Sequence, residues 1–509
     1  MSDHSLPAEG SPSSRVTRWG VVLKVLVLVV AVGWTFSPTI LGDWQWDDIS
    51  YVTENATIHD PEGLKKIWLQ PGNFIEYYPI SASVQWLQWQ SWKKLTFGYH
   101  FTNIVLHLLS AFLLWRFFLK FGLRFAWLGA LLFALHPTTV ESVAWISELK
   151  NTLSLPPFLL AMGAYMDFDE RRQNKDYFLA LGLFLVAMLC KMTMMVFPVV
   201  ILLYAWWKRG RIGWQDVKAS APFFVISLVL GAMGLWAGAA YSQVHGLGSN
   251  PPLGDCFSRL ACAGLSLSFY FYHFLWPMEL MPIYPQWKVE PPTFVQFMPW
   301  LVIGGALYGL LSTRVPGRRH VLLGLGFFVL NLAPFLGFKS ISYMRFTPVM
   351  DHLLYMPQIG LIGLVIAGLG CLDNFILPRL RPYFLSALLA VVALMAARSH
   401  AYAEHFLDEE TLWTYELQHN PQAWPAYDHL GNAFLRQGMV SKAAELYEQS
   451  IRINPESAVA RNNLGVAQEQ MGDIPAALAS YREALTMAPS YLDAQHNLAR
   501  LQATVVPQK

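Results

Sequence analysis

Charged residues are scarce in this chain. Lys, Arg, Asp and Glu together make up 14% of its 509 residues, whereas soluble globular domains carry about 25%. The formal net charge is only +2, so the charge balance gives no indication of a nucleic-acid partner. A shortage of charge on this scale excludes an ordinary soluble protein and indicates that most of the chain lies in a membrane.

Cysteine is also scarce, with four residues in the whole chain. They show no metal-ligand spacing, and all but Cys256 lie within apolar runs, so we expect buried thiols and no disulfide framework. The first apolar run, Val21 to Val32, follows Arg15 and Arg18, and no small-residue cleavage site is evident near it. We therefore expect an uncleaved signal anchor.

Long apolar runs are abundant up to about residue 398. Runs of about 17–22 residues alternate with short polar loops, and this length crosses a bilayer as a helix. We interpret the segment Phe257 to Pro277 as re-entrant, or as a helix that returns to the outer side near Trp276. The other runs predict eleven spans, near residues 19–41, 101–119, 125–142, 152–168, 177–190, 194–207, 221–241, 297–313, 320–337, 354–372 and 383–398.

Most clusters of Lys and Arg occur after every second predicted span. Such clusters mark the cytoplasmic side of a membrane. This places the chain in an inner (plasma) membrane with its C-terminal domain on the periplasmic or outer side; a twelfth crossing would reverse that side. The predicted domains are a cytoplasmic tail (1–18), a transmembrane domain (19–398, with a first outer loop at 42–100) and a C-terminal domain (399–509). The basic clusters are Arg15/Arg18, Lys120/Arg124, Arg171/Arg172/Lys175, Lys208/Arg209/Arg211, Arg314/Arg318/Arg319 and Arg379/Arg381.

The C-terminal domain repeats at an offset of 34 residues. Small residues recur where two helices would touch and aromatics where a groove would be filled, the tetratricopeptide (TPR) pattern. We predict repeats at about 424–457 and 458–491, a half-repeat before them near Trp413, and a capping helix at 492–502. Such stacks usually present a concave peptide-binding surface, although a spacer or a dimer contact is an alternative. The aligned residues include Leu430, Leu464 and Leu498; Gly431 and Gly465; Tyr447 and Tyr481; and Pro421, Pro455 and Pro489.

Two adjacent carboxylates, Asp47 and Asp48, follow the first apolar run and lie between Trp44, Trp46 and Tyr51. One interpretation is interfacial decoration, because tryptophans are enriched at membrane boundaries and acidic residues are common in loops. The other interpretation is a catalytic carboxylate at the mouth of an intramembrane cavity, which acts as a general base on an acceptor hydroxyl.

Further polar side chains fall within the predicted spans or in the outer loops. Asn103 and His107 lie four residues apart, on one face of a helix. Ionisable groups at membrane depth usually face a cavity or a partner. For each single residue, the alternative to a site in a cavity is a satisfied interhelical hydrogen bond. His and carboxylate side chains could also bind a divalent metal, although no fixed spacing supports this. The other members of this set are Tyr77, Tyr78, His100, His136, Glu141, Glu148, Lys150, Lys191, Arg345, Asp351 and His352.

Short motifs along the chain together resemble one protein family. They are Trp46 to Asp48, Asn55, Tyr77 to Pro79, Gly98 to His100, Asn103 to His107, Phe133 to Pro137, Glu141 to Trp145, and Asp351 to Pro357. On these residues the chain resembles, over nearly its whole length, the transmembrane and tetratricopeptide repeat-containing O-mannosyltransferases and their bacterial relatives. It departs from the family pattern at His352, where arginine is usual.

The resemblance implies an all-α fold, a polytopic helix bundle of the GT-C type followed by a TPR α-solenoid. It also implies a polyprenyl-phosphate-linked sugar as donor and an acidic residue of the first outer loop as catalytic base. On this basis Asp47 is the expected base, Asp48 orients the acceptor or the base, and Glu141 is the reserve. The leaving phosphate needs cations or hydrogen-bond donors, for which the candidates are Lys150, Lys191, Arg345, His136 and His100. The candidates for substrate contacts are Tyr77, Tyr78, Asn103, His107, Asp351, His352 and Tyr355.

The expected function is transfer of a sugar, in the first instance mannose, to a hydroxyl acceptor such as protein Ser or Thr, with inversion. No cofactor is required, and a divalent metal stays an alternative. We expect the acceptor protein or glycan to dock on the TPR domain, whose half-repeat near Trp413 should pack against the outer loops. The other hypotheses are a membrane-anchored TPR scaffold for envelope or polysaccharide assembly and a lipid-linked sugar transporter. An outward cavity beside the first loop, lined by the polar set, would favour the enzyme.

Overall fold

The computed structural model describes residues 18–74, 76–244, 254–312 and 317–505. Every regular element in these ranges is helical, which confirms the predicted all-α fold; the predicted tail lies outside them except for Arg18. The longer helices of the first four hundred residues are α1 (Arg18–Thr35), α2 (Pro79–Trp92), α3 (Phe97–Lys120), α4 (Ala126–Leu135), α5 (Leu149–Arg171), α6 (Asn174–Cys190), α7 (Phe197–Arg209), α8 (Trp214–Val244), α9 (Cys256–Leu275), α10 (Met298–Ser312), α11 (Arg318–Leu332), α12 (Gln358–Asp373) and α13 (Arg381–Ala403).

Several helices have the length and apolar composition of membrane spans. Among the described residues these are Phe97–Lys120, Trp214–Tyr241, Phe294–Ser312 and Arg381–Phe406. Shorter apolar helices cover Trp19–Thr35, Ala126–Leu135 and Gln358–Asp373. The chain is therefore a membrane protein, and the count of eleven spans stays a prediction.

The predicted span at 125–142 is wrong in its second half. Helix α4 ends at Leu135, and the chain continues through short helical turns at Pro137–Thr139, Val140–Ala144 and Ile146–Glu148. Pro137 causes the break, because a proline pushes the preceding residue out of the helical region, and His136 is extended. Residues 136–149 are all buried, which is the condition for irregular backbone at membrane depth.

The segment that we interpreted as re-entrant forms one uninterrupted helix, α9. The side chain of Asp255 caps its start by accepting a hydrogen bond from the Ser258 N–H. It runs without a break over 20 residues, about 30 Å. The chain does not reverse within this segment, so the interpretation of a re-entrant turn is wrong, and the other interpretation, a helix that returns to the outer side near Trp276, stays a prediction.

The expectation of buried cysteines holds for Cys190 only. Cys256 and Cys371 are exposed and Cys262 is half-buried, all as free thiols. Cys371 lies near the end of the apolar helix α12. A helix in a membrane can turn apolar residues toward lipid as well as toward protein, so an apolar run does not predict burial against other helices.

The TPR domain follows α13 directly. Its first helix is α14, and two helical hairpins and a final helix follow. Gly431 and Gly465 let the paired helices touch: a Cβ atom on Gly431 would lie 2.6 Å from the Tyr447 ring, and one on Gly465 would lie 2.7 Å from the Tyr481 ring. The helices are α14 (Glu409–His419), α15 (Trp424–Arg436), α16 (Val440–Ile453), α17 (Ala458–Gln470), α18 (Ile474–Met487) and α19 (Leu492–Val505).

Candidate active site

The first outer loop leaves α1 through a short 3-10 helix, Ser37–Leu41. It then passes beside the start of the TPR domain, where the Asp43 N–H donates to the Leu407 carbonyl at 2.8 Å. Trp46 has a φ of 47°, a left-handed conformation that is rare for a bulky residue. The loop therefore turns sharply just before Asp47.

Asp48 fastens this loop to the buried segment that follows α4. Its carboxylate accepts hydrogen bonds from the Ser147 N–H at 2.7 Å and from the Ser147 hydroxyl. It also accepts one from the Gln45 N–H at 3.1 Å. Burial raises the pKa of Asp48 to about 7, although the bonds from Ser147 act in the opposite direction. These donors fix the Asp48 carboxylate in place, and its expected role in orienting the acceptor or the base stays a prediction.

Asp47 has a different environment. It is half-buried, and among the described residues no group donates a hydrogen bond to its carboxylate. Burial raises the pKa of Asp47 to about 6, against the attraction of the Lys150 ammonium. A carboxylate with open lone pairs and a pKa near neutrality can accept a proton from a hydroxyl. The two neighbouring carboxylates therefore differ in their hydrogen bonding, and their expected roles stay predictions.

Lys150 links two carboxylates beside Asp47. Its Nζ lies 2.9 Å from Glu76 Oε2 and 3.3 Å from Glu148 Oε1. Burial acts to raise the pKa of Glu76, but the Lys150 ammonium overrides it and the pKa is lowered. Tyr51 and Tyr78 also donate their hydroxyls to Glu76, at 3.3 and 3.4 Å.

Glu148 is the centre of the ionic cluster. Besides Lys150, it faces Lys191 Nζ at 3.9 Å and His352 Nε2 at 3.9 Å. Burial acts to raise the pKa of Glu148, but His352 and the two lysines bring it down to about 2. Glu148 therefore stays ionised and is unsuited to proton transfer near neutral pH.

His352 connects this cluster to Glu141. Its Nδ1 lies 3.0 Å from Glu141 Oε1, and its backbone N–H donates to Glu141 Oε2 at 2.9 Å. Lys191 donates to the amide oxygen of Asn151. Asn151 in turn donates to Glu148. Glu141 is buried, and both of its carboxylate oxygens contact His352, so Glu141 holds His352 in place.

Two small cavities lie on either side of this cluster. The first is lined by Tyr51, Glu76, Tyr78, Ser147 and Lys150, with Asn55, Phe74 and Gln85. The second is lined by Lys191, His352 and Asn151, with Thr193, Asn331 and the apolar Met194, Phe335, Leu353 and Met356. Glu148 contacts a lysine of each cavity. The first cavity is polar and aromatic, and the second combines a cation with an apolar wall.

His107 and His136 are held by protein partners. The ring nitrogens of His107 lie 2.9 Å from the Tyr355 hydroxyl and 3.0 Å from the Ala134 carbonyl oxygen. Those of His136 lie 3.0 Å from the Phe274 carbonyl oxygen and 2.8 Å from the Thr138 hydroxyl. All three predicted residues, Tyr355 included, therefore brace neighbouring helices in this structure.

Three other predicted residues are also buried in the scaffold. The Asn103 amide donates to the Trp145 carbonyl at 3.1 Å and accepts from the Thr152 hydroxyl at 3.0 Å. The Tyr77 hydroxyl donates to a backbone carbonyl of the first loop at 3.2 Å. His100 is 1% exposed and lies against the backbone of Gly42. These side chains contact the backbone of the first loop and of the segment that follows α4.

The remaining predicted residues lie on the TPR side of the cavities. Arg345 is exposed at the end of the short helix Ser342–Arg345. Asp351 is 1% exposed, and its carboxylate accepts a hydrogen bond from the Tyr284 hydroxyl at 2.9 Å. Burial, reinforced by the nearby Glu141 carboxylate, raises the pKa of Asp351 well above its ordinary value. Neither residue lines the two cavities.

The structure adds residues that the sequence analysis missed. Glu76, Tyr51 and Ser147 line the first cavity, and Glu148 is central although we gave it no role. Glu76 directly precedes the Tyr77–Tyr78 pair, and a carboxylate beside clustered tyrosines was the available signal. Among the described residues, no group of three or more His, Cys, Asp or Glu side chains has a geometry suited to a metal ion.

Comparison with known proteins agrees with both parts of the fold. Residues 79–236 match the family model described as dolichyl-phosphate-mannose-protein mannosyltransferase. Residues 394–458 and 429–492 match the tetratricopeptide repeat model.

Similar curated proteins come from animals. The chain is 22% identical to protein O-mannosyl-transferase TMTC4 of Mus musculus over 494 residues, covering 81% of this chain and 64% of that protein. It is 23% identical to protein O-mannosyl-transferase TMTC4 of Homo sapiens, covering 87% of this chain and 67% of that protein. For protein O-mannosyl-transferase Tmtc3 of Drosophila melanogaster, the identity is 22% and the coverage 80% and 52%.

The chain thus spans about two thirds or less of the length of these relatives. The matches nevertheless cover both of its parts, the helix bundle with the ionic cluster and the TPR stack. The resemblance that the sequence motifs indicated is confirmed: the chain is a distant relative of the protein O-mannosyl-transferases.

Proposed function

We propose that this protein is a membrane glycosyltransferase that moves a sugar, in the first instance mannose, from a polyprenyl-phosphate donor to a Ser or Thr hydroxyl. The observation that carries the proposal is the buried ionic cluster in which Glu148 faces Lys150 of one cavity and Lys191 of the other, with the Lys150 ammonium near enough to Asp47 to lower the pKa of its carboxyl group. The names of the relatives and of the matching family model support the sugar and the acceptor.

The reaction divides between the two cavities. The acceptor hydroxyl occupies the first cavity and gives its proton to the Asp47 carboxylate. Its oxygen attacks the anomeric carbon from the face opposite the phosphate, so the configuration inverts. The bond between that carbon and the phosphate oxygen breaks, and its electron pair leaves with the lipid phosphate. Lys191 in the second cavity stabilises the developing negative charge, and the apolar wall there suits a prenyl chain.

The two ends of α5 support an orientation in the membrane. The helix starts beside Lys150 and ends at Arg171, about 34 Å away along its axis. At that far end Asp169 is ion-paired with Arg172, Lys208 and Arg209. Basic clusters of this kind mark the cytoplasmic side. The active site and the TPR domain beside it then face the outer side.

The other hypotheses account for fewer of these contacts. A scaffold needs neither a buried ionic cluster nor a carboxylate to which no described residue donates a hydrogen bond. A transporter would use the cavities but not the difference between Asp47 and Asp48. Tyr78 and Lys150 of the predicted polar set line a cavity beside the first loop, which supports the enzyme.

Reconstitution tests the proposal. The purified protein is placed in liposomes with tritiated mannose on a long-chain polyprenyl phosphate and with Ser- and Thr-containing peptides. We expect radioactivity in the peptide and an α- or β-linkage opposite to that of the donor. The Asp47→Asn variant is the inactive control. Absence of transfer with mannose and with the other common hexose donors, while mass spectrometry finds the same envelope glycans in cells with and without this chain, would refute the proposal.

A further inference from the structure

The first outer loop is held from the TPR side by a contact that the proposed reaction does not use. The backbone N–H of Trp46 donates to Glu409 Oε1 at 3.3 Å. Glu409 is 5% exposed and lies in the first turn of α14. Its other oxygen is ion-paired with Arg436, in the last turn of α15. Two TPR helices therefore converge on one backbone N–H of the loop.

The Trp46 side chain is enclosed by both domains. Its ring stacks on Trp145 of the membrane domain with centroids 4.8 Å apart and meets Trp413 edge-on at 5.0 Å. Trp413 is itself stacked on His429 of α15 at 4.7 Å. Because Glu409 and Trp413 are four residues apart, the same face of α14 supplies both contacts. The predicted packing of the Trp413 region against the outer loop is confirmed by this geometry.

The backbone of Trp46 needs this support. Its left-handed conformation persists only where the surrounding contacts hold it. On the other side of Asp47, the neighbouring Asp48 is fixed by the two hydrogen bonds from Ser147. The Asp47 carboxylate, which has no hydrogen-bond donor of its own among the described residues, therefore takes its direction from the residues on either side.

We propose that Glu409 is a positioning residue of the active site, which orients Asp47 by holding the Trp46 N–H. The proposal rests on the function proposed above. It makes the start of the TPR domain part of the transfer machinery for every acceptor, small ones included. The expectation that the acceptor docks on the TPR domain then applies to the helices beyond α15.

The test uses full-length protein with three substitutions. Glu409→Ala removes the acceptor for the Trp46 N–H, and Glu409→Gln keeps an acceptor oxygen but loses the charge. Glu410→Ala is the matched control, because exposed Glu410 accepts a hydrogen bond from Gln437 at 3.2 Å. That bond joins the same two helices, α14 and α15, without contact to the loop.

Hydrogen exchange tests the contact without any need for activity. In Glu409→Ala we expect faster exchange of the Trp46 amide, seen in a peptide that covers residues 43–51. In Glu409→Gln the change should be smaller, and Glu410→Ala should match the wild type. Unchanged exchange in Glu409→Ala would overturn the proposal whether or not transfer can be measured.

Kinetics test the consequence for catalysis. With polyprenyl-phosphate mannose and a short Ser/Thr peptide, Glu409→Ala should lower kcat roughly ten- to a hundredfold, the usual effect of a misplaced catalytic group. The KM for the peptide should stay within about twofold, because the cavity is intact, and Glu409→Gln should recover part of kcat. A wild-type kcat in Glu409→Ala, or an equal loss in Glu410→Ala, would overturn the proposal. Absence of transfer by the wild type would instead refute the proposed function, and the exchange result would still decide whether Glu409 holds the loop.

Discussion

Replacement of Asp47 by Asn tests the assignment of the base most directly. Asn has almost the same shape but cannot take a proton at neutral pH, so transfer should fall by roughly two to four orders of magnitude. No described residue donates a hydrogen bond to this carboxylate, so the substitution removes no such bond. The variant should therefore fold and insert like the wild type.

The pH dependence of transfer follows from the pKa of about 6 for Asp47. Only the ionised carboxylate accepts a proton, so the rate should rise with pH through this value. A group with this pKa is about 90% ionised at pH 7 and about 10% at pH 5, so the rate should fall about tenfold between them. Burial raises the pKa above that of the unfolded chain, so protonation of Asp47 stabilises the fold, and this contribution is lost as the pH rises through 6. Titration of Asp47 therefore does not unfold the protein at pH 5.

Initial rates of mannose transfer between pH 5 and pH 8 provide the assay, with two controls from the same loop. Asp43 is exposed, and its carboxylate accepts a hydrogen bond from the Trp44 N–H, so Asp43→Asn should leave the profile unchanged. Asp48→Asn should lower the rate but keep an inflection near pH 6. Wild-type transfer by Asp47→Asn would refute the assignment. Loss of the inflection in Asp48→Asn alone would move the role of base to Asp48.

Three further predictions concern the donor site, the topology and the repeats. Lys191→Met should weaken binding of a polyprenyl-phosphate sugar at least tenfold, as expected for loss of a charged partner of the phosphate. Lys191→Arg should restore part of this affinity. Equal affinity in both variants and the wild type would make Lys191 an interfacial anchor. Cysteines placed at the exposed positions Glu456 and Gln173 should react with an impermeant maleimide from opposite sides of the membrane in intact cells or spheroplasts. Labelling of both from the same side would contradict the predicted orientation. Tyr447→Ala removes the ring that packs on Gly431 and should destabilise the TPR domain by about 3–5 kcal/mol. The measurement is the Tm of the full-length protein, which should fall. An unchanged Tm would contradict the packing.

The TPR domain was the part of the fold most open to prediction from sequence. Each repeat contacts mainly its neighbours, so local spacing contains most of the information, and the helices α15 to α18 fall within the two predicted repeats. The membrane domain was harder to predict because apolar composition there serves lipid and protein contacts alike. This is why Cys371 is exposed. Helix α4 ends at Leu135 for another reason, because Pro137 breaks the helix inside the predicted span.

The residues of the candidate site that could be predicted from the sequence are charged residues beside apolar spans. Asp47, Lys150 and Lys191 stand out because each follows or separates predicted apolar spans, where charged groups are rare. The roles of His107 and His136 could not be predicted, because their partners Tyr355 and Phe274 lie 248 and 138 residues away in sequence. Glu76 was missed for the opposite reason, since an acidic residue in a polar loop is ordinary until the fold places it beside a buried lysine.

The contacts of the two lysines assign them different tasks. Lys150 is held by Glu76 at 2.9 Å and by Glu148 at 3.3 Å, and breaking a buried ion pair costs about 3–5 kcal/mol. Lys191 lies 3.9 Å from Glu148, and its close partner is the neutral amide of Asn151. An anionic phosphate can replace a neutral amide at Lys191 without leaving a carboxylate unpaired, but it cannot do so at Lys150. Lys191 is therefore the better candidate for the proposed phosphate ligand, while Lys150 lowers the pKa of Asp47 and favours the ionised form of the proposed base.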